Sequence, residues 1–379
     1  MMIDKQLLSR LQEYYTTHLE GMIQENIAVC EVAAPGFQEH ERANYVARRL
    51  REVGLEHVCV DDTPNVYAEI VGAEAGPTVL VAAHLDTVFP AGTDVTVRRE
   101  GHELFAPGVR DDSTGVAALI QFAAGMHDLQ IKPKGRLILV GTAGEEGLGD
   151  LRGMKAAMAK YGNSVDAVIA VDGNLGSVVY EGIASRRLHV KLSTGGGHSW
   201  GNFGVPNAIH VLGRMIADVS QLTVPAEPRT TYNVGVISGG TSINSIAPNA
   251  ELLLDMRSVC SESLAELEGR VRAILERHAT EGEVTMEVLV VGDRPGGAIP
   301  ADHPLVTSAQ KILRALELDP VSGPSSTDAN VPLSRGIPAI CVGITAGRGA
   351  HRTDESLDVR PMPVGMTQLA MLVLETMGY

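Results

Sequence analysis

Four short apolar runs constrain this chain more than any other feature, because each ends in, or leads to, a residue that can ligate a metal. T-V-L-V-A-A-H-L-D-T closes on His84 and Asp86, and R-L-I-L-V-G-T-A-G-E-E closes on Glu145 and Glu146. A-V-I-A-V-D-G closes on Asp172, and P-A-I-C-V-G-I leads through a Gly-rich loop to His351. Runs this short and this apolar read as strands buried on both faces of a parallel sheet. In open α/β sheets, ligands bind beyond the carboxyl ends of the strands. Strands that deliver His, Glu, Asp and His to one edge therefore predict a metal site there.

The rest of the pattern fits around that sheet. Residues 4 to 33 read as one or two helices with Asp4 as N-cap, and H-E-R-A-N-Y-V-A-R-R-L-R-E-V-G reads as a helix stopped by Gly54. Strands and helices then alternate to about residue 183, the signature of a doubly wound α/β domain. From R-R-L-H-V-K-L-S onward the strands alternate polar and apolar, so one sheet face is solvated. The element order there is βαββαβ, the split, ferredoxin-like module. After G-D-R-P-G-G-A-I-P the α/β pattern resumes. The expected architecture is thus an α/β domain of residues 1–184 and 293–379, with a ferredoxin-like module of residues 185–292 inserted into it. A length of 379 residues accommodates both.

Composition removes several classes of partner. A formal net charge of −15 argues against nucleic acid and anionic membrane. No apolar stretch approaches the length of a membrane span. The start, M-M-I-D-K-Q-L-L-S-R-L-Q-E, reads as an amphipathic helix rather than a signal peptide. Cys30, Cys59, Cys260 and Cys341 form no C-x-x-C pair and read as reduced thiols, so the expected location is the cytoplasm.

Each candidate ligand alone has a plain structural alternative. In H-L-D, Asp86 would share a face with His84 and accept its second ring N–H, as metal-bound imidazoles require. In G-V-R-D-D-S-T-G, a carboxylate bridges two cations or caps the following helix. G-E-E offers two adjacent carboxylates, one to bind metal and one to act as general base. Asp172 is a ligand or a turn residue, and His351 a ligand or an exposed loop histidine. Taken together, His84, Asp111, Glu146, Asp172 and His351 supply two imidazoles and three carboxylates. If Asp111 is shared, each of two metals has one His and one carboxylate of its own. Nitrogen and oxygen ligands without thiolate suit Zn²⁺, with Co²⁺ or Mn²⁺ as alternatives.

With H-L-D-T-V, D-D-S-T-G, G-E-E-G, V-D-G and H-R-T-D-E in this order, the chain resembles the co-catalytic zinc exopeptidases, the family of peptidase T, carboxypeptidase G and acetylornithine deacetylase/succinyl-diaminopimelate desuccinylase. The likeness runs nearly the full length, inserted module included. It implies that His84 and Asp172 hold one metal, that Glu146 and His351 hold the other, and that Asp111 bridges them through a residue followed by a cis peptide bond. It further implies that Glu145 is the general base and that Asp86 orients His84. G-G-G-H-S-W-G resembles the segment around the family's lid histidine, here His198, which in lid-to-lid homodimers reaches the partner's active site. G-G-T-S-I-N-S-I-A-P-N and D-M-R-S resemble the family's substrate-binding strands, so that Asn244 and Arg257 would hold a substrate carboxylate.

The motifs stand closest to the di- and tripeptidase branch. The expected activity is hydrolysis of short peptides in an aminopeptidase-like manner. A carboxypeptidase or an N-acyl-amino-acid amidohydrolase is the alternative within the family, and an inert binding protein on the same fold is the alternative outside it. The inert alternative should lack a ligand or the base, and here all are present.

Overall fold

A computed structural model describes residues 3–72 and 74–379; Met1 and Met2, the first residues of the expected N-terminal helix, lie outside them. The chain divides into two compact units, Met1–Gly182 with Ala298–Tyr379, and Ile183–Gly297.

The first unit is built on an eight-stranded sheet. Its order is His57–Val60, Val66–Val71, Arg136–Thr142, Thr78–His84, Ala167–Val171, Ala339–Val342, Ser177–Val179, Val321–Ser322. The four apolar runs are the four central neighbours, and they pair in parallel. Their side chains alternate between two cores. Val79, Val81, Leu137, Leu139, Ile169, Val171, Ile340 and Val342 enter one. Leu80, Ala82, Ile138, Val140, Val168, Ala170, Ala339 and Cys341 enter the other. Residues of the helices Leu19–Cys30, Ser113–Asp128 and Met362–Thr376 pack in the first core, and residues of Arg152–Tyr161 in the second. Both faces are therefore covered, which is why these strands read as continuous apolar runs.

The four runs pair in parallel as their apolar character predicted, but the sheet as a whole is mixed. Val66–Val71 joins Arg136–Thr142 antiparallel, and Ser177–Val179 joins Ala339–Val342 antiparallel. Short connections are the reason, since a parallel crossover needs a dozen or more residues: Thr78–His84 follows Val66–Val71 within seven positions and runs opposite to it, and Ser177–Val179 follows Ala167–Val171 within six. The turn before Val66 is closed by the Asp61 carboxylate, which accepts the N–H groups of Thr63 and Asn65. The turn after Asp172 is closed by the Ser177 N–H donating to the Asn174 carbonyl, 3.2 Å. At the N-terminus Asp4 caps the helix Lys5–Thr17 by accepting from Gln6 and Leu7.

The second unit is a four-stranded antiparallel sheet in the order Thr230–Gly239, Asn249–Ser258, Ala184–Ser193, Thr285–Arg294, with the helices Ala208–Val219 and Ser261–Glu281 packed in the same core. Leu188, Val190, Leu252, Leu254 and Met256 enter that core, and the residues between them face away from it. This unit runs to Gly297, past the 292 read from the sequence. Its last strand continues to Arg294, which pairs with Ser185 across a bulge at Arg187/Leu188. The bulge re-registers the strand, so residues that resemble a hinge still belong to the sheet.

Among the described residues, no helix is long and apolar enough to cross a membrane.

Candidate metal centre

The central parallel strands all point their carboxyl ends to one edge, and the candidate ligands gather there. His84 is the last residue of its strand. Its backbone N–H donates to the Asp112 carboxylate at 3.0 Å. Its ring Nδ1 lies 3.0 Å from the Asp86 carbonyl, which makes Nδ1–H the donor and turns Nε2 toward Asp111, 3.0 Å from Oδ1. Asp111 reaches a second imidazole, with Oδ2 at 3.3 Å from His351 Nε2. The same His351 nitrogen lies 2.8 Å from Glu146 Oε1. Asp111 thus stands between the two histidines.

Among the described residues, three groupings bring potential ligand atoms within 4.8 Å of one another: His84, Asp111 and Asp172; Asp111, Glu146 and His351; and His84, Glu145 and Glu146. The first two share only Asp111. A nitrogen and carboxylate oxygens in each, with one carboxylate common to both, is a donor set that fits a pair of divalent cations.

Two adjacent aspartates divide the work at the start of the helix Ser113–Asp128. Asp112 is its N-cap, accepting the Gly115 N–H at 3.0 Å on one oxygen while the other anchors His84. Asp111 is left free to face the histidines, and the peptide bond between the two is cis. Asp111 is itself held by a residue to which the sequence analysis gave no role. Glu355, fully buried, accepts the N–H groups of Arg110 and Asp111 at 2.8 and 2.9 Å. Its only sequence signal was membership of the H-R-T-D-E motif.

Asp86 acts differently from expectation. Its nearer carboxylate oxygen lies 3.7 Å from His84 Nδ1, beyond hydrogen-bond distance. Its two oxygens instead accept the N–H groups of Glu145 and Glu146, each at 2.8 Å. The strand ends at His84, so alternation no longer governs where the Asp86 side chain points. Asp86 therefore orients His84 through its carbonyl and the G-E-E turn through its carboxylate. Gly144 opens that turn at φ +67°, and the Arg152 guanidinium occupies the space a Cβ would need. Arg42 is another residue missed at the sequence level. It is fully buried within an ordinary amphipathic helix and donates to the carbonyls of Val32, Leu85 and Cys30.

The electrostatics follow from crowding carboxylates out of water. Burial pushes Asp112 well above the usual carboxylate range, and burial together with Asp111 pushes Asp172 up. Burial also acts on Asp111, but its hydrogen bonds to His351 and His84 prevail and hold it well below that range. Burial disfavours a charged His84, yet Asp111 and the neighbouring carboxylates raise it well above the ordinary imidazole value. Asp111 and Glu146 raise His351 to about 10. A cluster with these directions is built to hold positive charge.

The other three candidates lie in the second unit. His198 is exposed, on the short ladder that pairs Gly197–His198 with Ser245–Ile246. Its Nδ1 accepts the N–H groups of Trp200 and Gly201, both at 3.2 Å, which places the ring proton on Nε2. Asn244 is next to that ladder, its carbonyl accepting the Ser199 N–H at 3.0 Å. Arg257 is far from both. It pairs with Asp255 at 2.7 Å, near the Ser258 end of the strand Asn249–Ser258, while the Asn244 corner adjoins the Asn249 end. At about 3.3 Å per residue the strand separates the two by roughly 26 Å, so within one chain they do not grip one carboxylate together.

Residues 80–375 match Peptidase family M20/M25/M40. A succinyl-diaminopimelate desuccinylase of Methylobacillus flagellatus is 28% identical, over 63% of this chain and 69% of its own. Two solved structures share the fold. A tripeptidase of Staphylococcus aureus superposes with a TM-score of 0.80 at 20% identity, covering 95% of this chain and 99% of that one. A dinuclear metal-binding peptidase of Bacillus subtilis superposes with a TM-score of 0.70 at 20% identity, covering 95% and 99%.

Proposed function

Because the chain belongs to peptidase family M20/M25/M40, whose members hydrolyse peptide or amide bonds, we propose that it is a dinuclear zinc exopeptidase that cleaves short peptides, with aminopeptidase-like selectivity. The observation that carries this reading is the pair of ligand groupings joined by Asp111. His84 and Asp172 would hold one ion, Glu146 and His351 the other, with Asp111 common to both. Such a pair of cations, when bound, polarises the scissile carbonyl and lowers the pKa of water. Glu145, buried and set by Asp86 beside Glu146, takes the proton of the attacking water and passes it to the leaving nitrogen.

The second unit supplies substrate contacts in this proposal. With its proton on Nε2, His198 is a donor suited to the oxyanion of the tetrahedral intermediate. Arg257 and Asn244 recognise a substrate carboxylate. Their separation along one strand supports a homodimer through this unit, in which Arg257 of one subunit and the partner's His198–Asn244 corner serve one site. The partner is then a short peptide, in the cytoplasm, with neither nucleic acid nor membrane involved. The desuccinylase relative favours amide hydrolysis of N-acyl amino acids as the second reading.

Metal content, substrate range and subunit mixing test the proposal. Chelation followed by zinc reloading should give about two equivalents per subunit by elemental analysis; a folded, reloaded protein without metal removes the proposal. A panel of di- and tripeptides, their C-terminal amides and N-acyl amino acids, scored by product analysis, separates the aminopeptidase from the carboxypeptidase and the deacylase. Mixing impaired His198→Ala with inactive Glu145→Gln should raise activity above that of either alone after subunit exchange. A strictly monomeric active enzyme would exclude that arrangement.

A further inference from the structure

Glu355 is fully buried, yet its carboxylate is used on main-chain amides of another segment. It accepts the N–H of Arg110 at 2.8 Å and of Asp111 at 2.9 Å on Oε1, and that of Gly108 at 3.3 Å on Oε2. Three amides converging on one anion form a nest around it. The topology explains why these segments meet. The strand Ser356–Asp358 pairs antiparallel with Glu103–Phe105, in the register Ser356 to Phe105. The segment leading to Asp111 leaves that ladder where the segment returning from His351 enters it. The Glu355 carboxylate bridges the two at their base.

The His351 segment has few restraints of its own. Gly347–Arg348 pairs with the same strand Ser356–Asp358, so His351 lies at the tip of a hairpin. His351 has φ +67° and follows Gly349 at φ +75°. A side-chain-bearing residue stays in the left-handed region only where its surroundings over-determine it. Two turn bonds do so here, Arg352 N–H to the Gly349 carbonyl at 2.9 Å and Glu355 N–H to the Arg352 carbonyl at 3.1 Å. The second ends on Glu355 itself. His84 and Asp172, by contrast, close strands of the central parallel sheet and need no such brace.

We propose that Glu355 is the positioning residue that locks the Asp111 segment to the His351 segment, and that it thereby sets the affinity of the metal position formed by Asp111, Glu146 and His351 more than that of the position at His84 and Asp172, which shares Asp111 but takes its other two ligands from the ends of sheet strands. The inference rests on the dinuclear reading above. It makes the two positions unequal: one has two of its three ligands at strand ends, the other has Asp111 and His351 on two loops that meet at the Glu355 carboxylate.

Glu355→Gln tests it, since the amide keeps the size, loses the charge and turns a donor toward the nest. Zinc stoichiometry and affinity are measured by chelator competition on the full-length variant, with the Co²⁺ absorption spectrum as a second readout. One equivalent should weaken by about 10–100-fold, the range for residues that orient ligands. The other, which shares only Asp111, should weaken several-fold less, and excess metal should restore kcat with KM unchanged. Two equivalents bound as in wild type, or both weakened alike, overturn the proposal. A wild-type protein that takes up fewer than two equivalents defeats the dinuclear reading instead, and that result is seen without the variant. Amide exchange of residues 108–111 in metal-free wild type decides the brace even if the variant does not fold. Protection is expected, and free exchange of Arg110 and Asp111 overturns it.

Discussion

The strand-end cluster and the His198 corner differ in how their candidate residues are held. In the cluster, each of His84, Asp86, Asp111, Glu146 and His351 is fixed by another part of the chain, through hydrogen bonds and ion pairs of 2.8 to 3.3 Å. In the second unit His198 is organised by its own turn, and Arg257 is held by Asp255 two residues away on the same strand. The first region is finished within one chain. The second presents an Nε2–H and a guanidinium half in solvent. A site pre-organised by long-range contacts should fail steeply when one is removed, and a presented donor should fail only in proportion to the bond it makes.

The steepest expected loss is in the cluster. Glu145→Gln should lower kcat by roughly 10²–10⁴-fold, the usual contribution of a general base, with metal content retained. Glu146→Gln should lose metal as well as rate. Near wild-type turnover in Glu145→Gln together with full metal in Glu146→Gln would exchange the two roles and redraw the cluster.

Arg257 sharpens the other side of the comparison. If it binds a substrate carboxylate, amidating the C-terminus of a di- or tripeptide should cost roughly 10- to 150-fold in kcat/KM, the worth of one charge-assisted hydrogen bond. Arg257→Ala should cost a similar factor for the free acid and little more for the amide. Equal rates for acid and amide in wild type would leave Arg257 as the partner of Asp255 alone.

Asp86→Asn probes how the cluster is organised. The amide keeps one acceptor but turns a donor toward an N–H of the G-E-E turn, so both Glu145 and Glu146 shift. A loss of about 10–100-fold in activity is expected, with weaker metal binding, as for residues that orient ligands. If His84→Ala alone lowers metal affinity and Asp86→Asn leaves it unchanged, the carbonyl of residue 86 is sufficient and the carboxylate is spare.

The residue types of the cluster were legible because buried parallel strands are unmistakable as sequence and their ends are fixed by topology. His84 and Asp172 were placed by those strand ends, but only the full set of five pointed to metal. Glu355, Arg42 and the true partners of the Asp86 carboxylate were not legible, because each acts on main-chain amides or carbonyls of a distant segment. Such contacts leave no spacing pattern: Glu355 reaches Asp111 across 244 positions. The outer antiparallel strands were missed for a related reason, since turn length, rather than apolar character, decides their direction. In the second unit the βαββαβ order was readable from alternation, whereas the bulge that carries its last strand to Arg294 depends on pairing with Ser185.

The smallest expected effect separates the two regions by their thiols. Cys30 is fully buried in the first unit, and its Sγ points to the Pro107 carbonyl at 3.6 Å, under the segment that leads to Asp111. Burial pushes its thiol up to about 11 from a reference of 9.0. Cys260 in the second unit is only partly buried. A water-soluble disulfide reagent at pH 8 should therefore label Cys260 and the exposed Cys59 quickly and Cys30 only on unfolding. The same shift has a sign in stability. Below pH 9 the thiol is protonated in both the folded and the unfolded chain, and the full contribution is present. Between pH 9 and 11 the unfolded chain ionises while the folded one does not, so stability falls as pH rises and the contribution is lost through the folded value of about 11. One pKa unit corresponds to about 1.4 kcal/mol, which sets a ceiling of roughly 3 kcal/mol on this loss. Thermal melts should show a steeper decline from pH 9 to 11 in wild type than in Cys30→Ala, whose melting point at pH 7 is lower because of the cavity. Parallel declines in the two proteins would mean that Cys30 ionises freely, and that the segment beneath Asp111 is open to solvent.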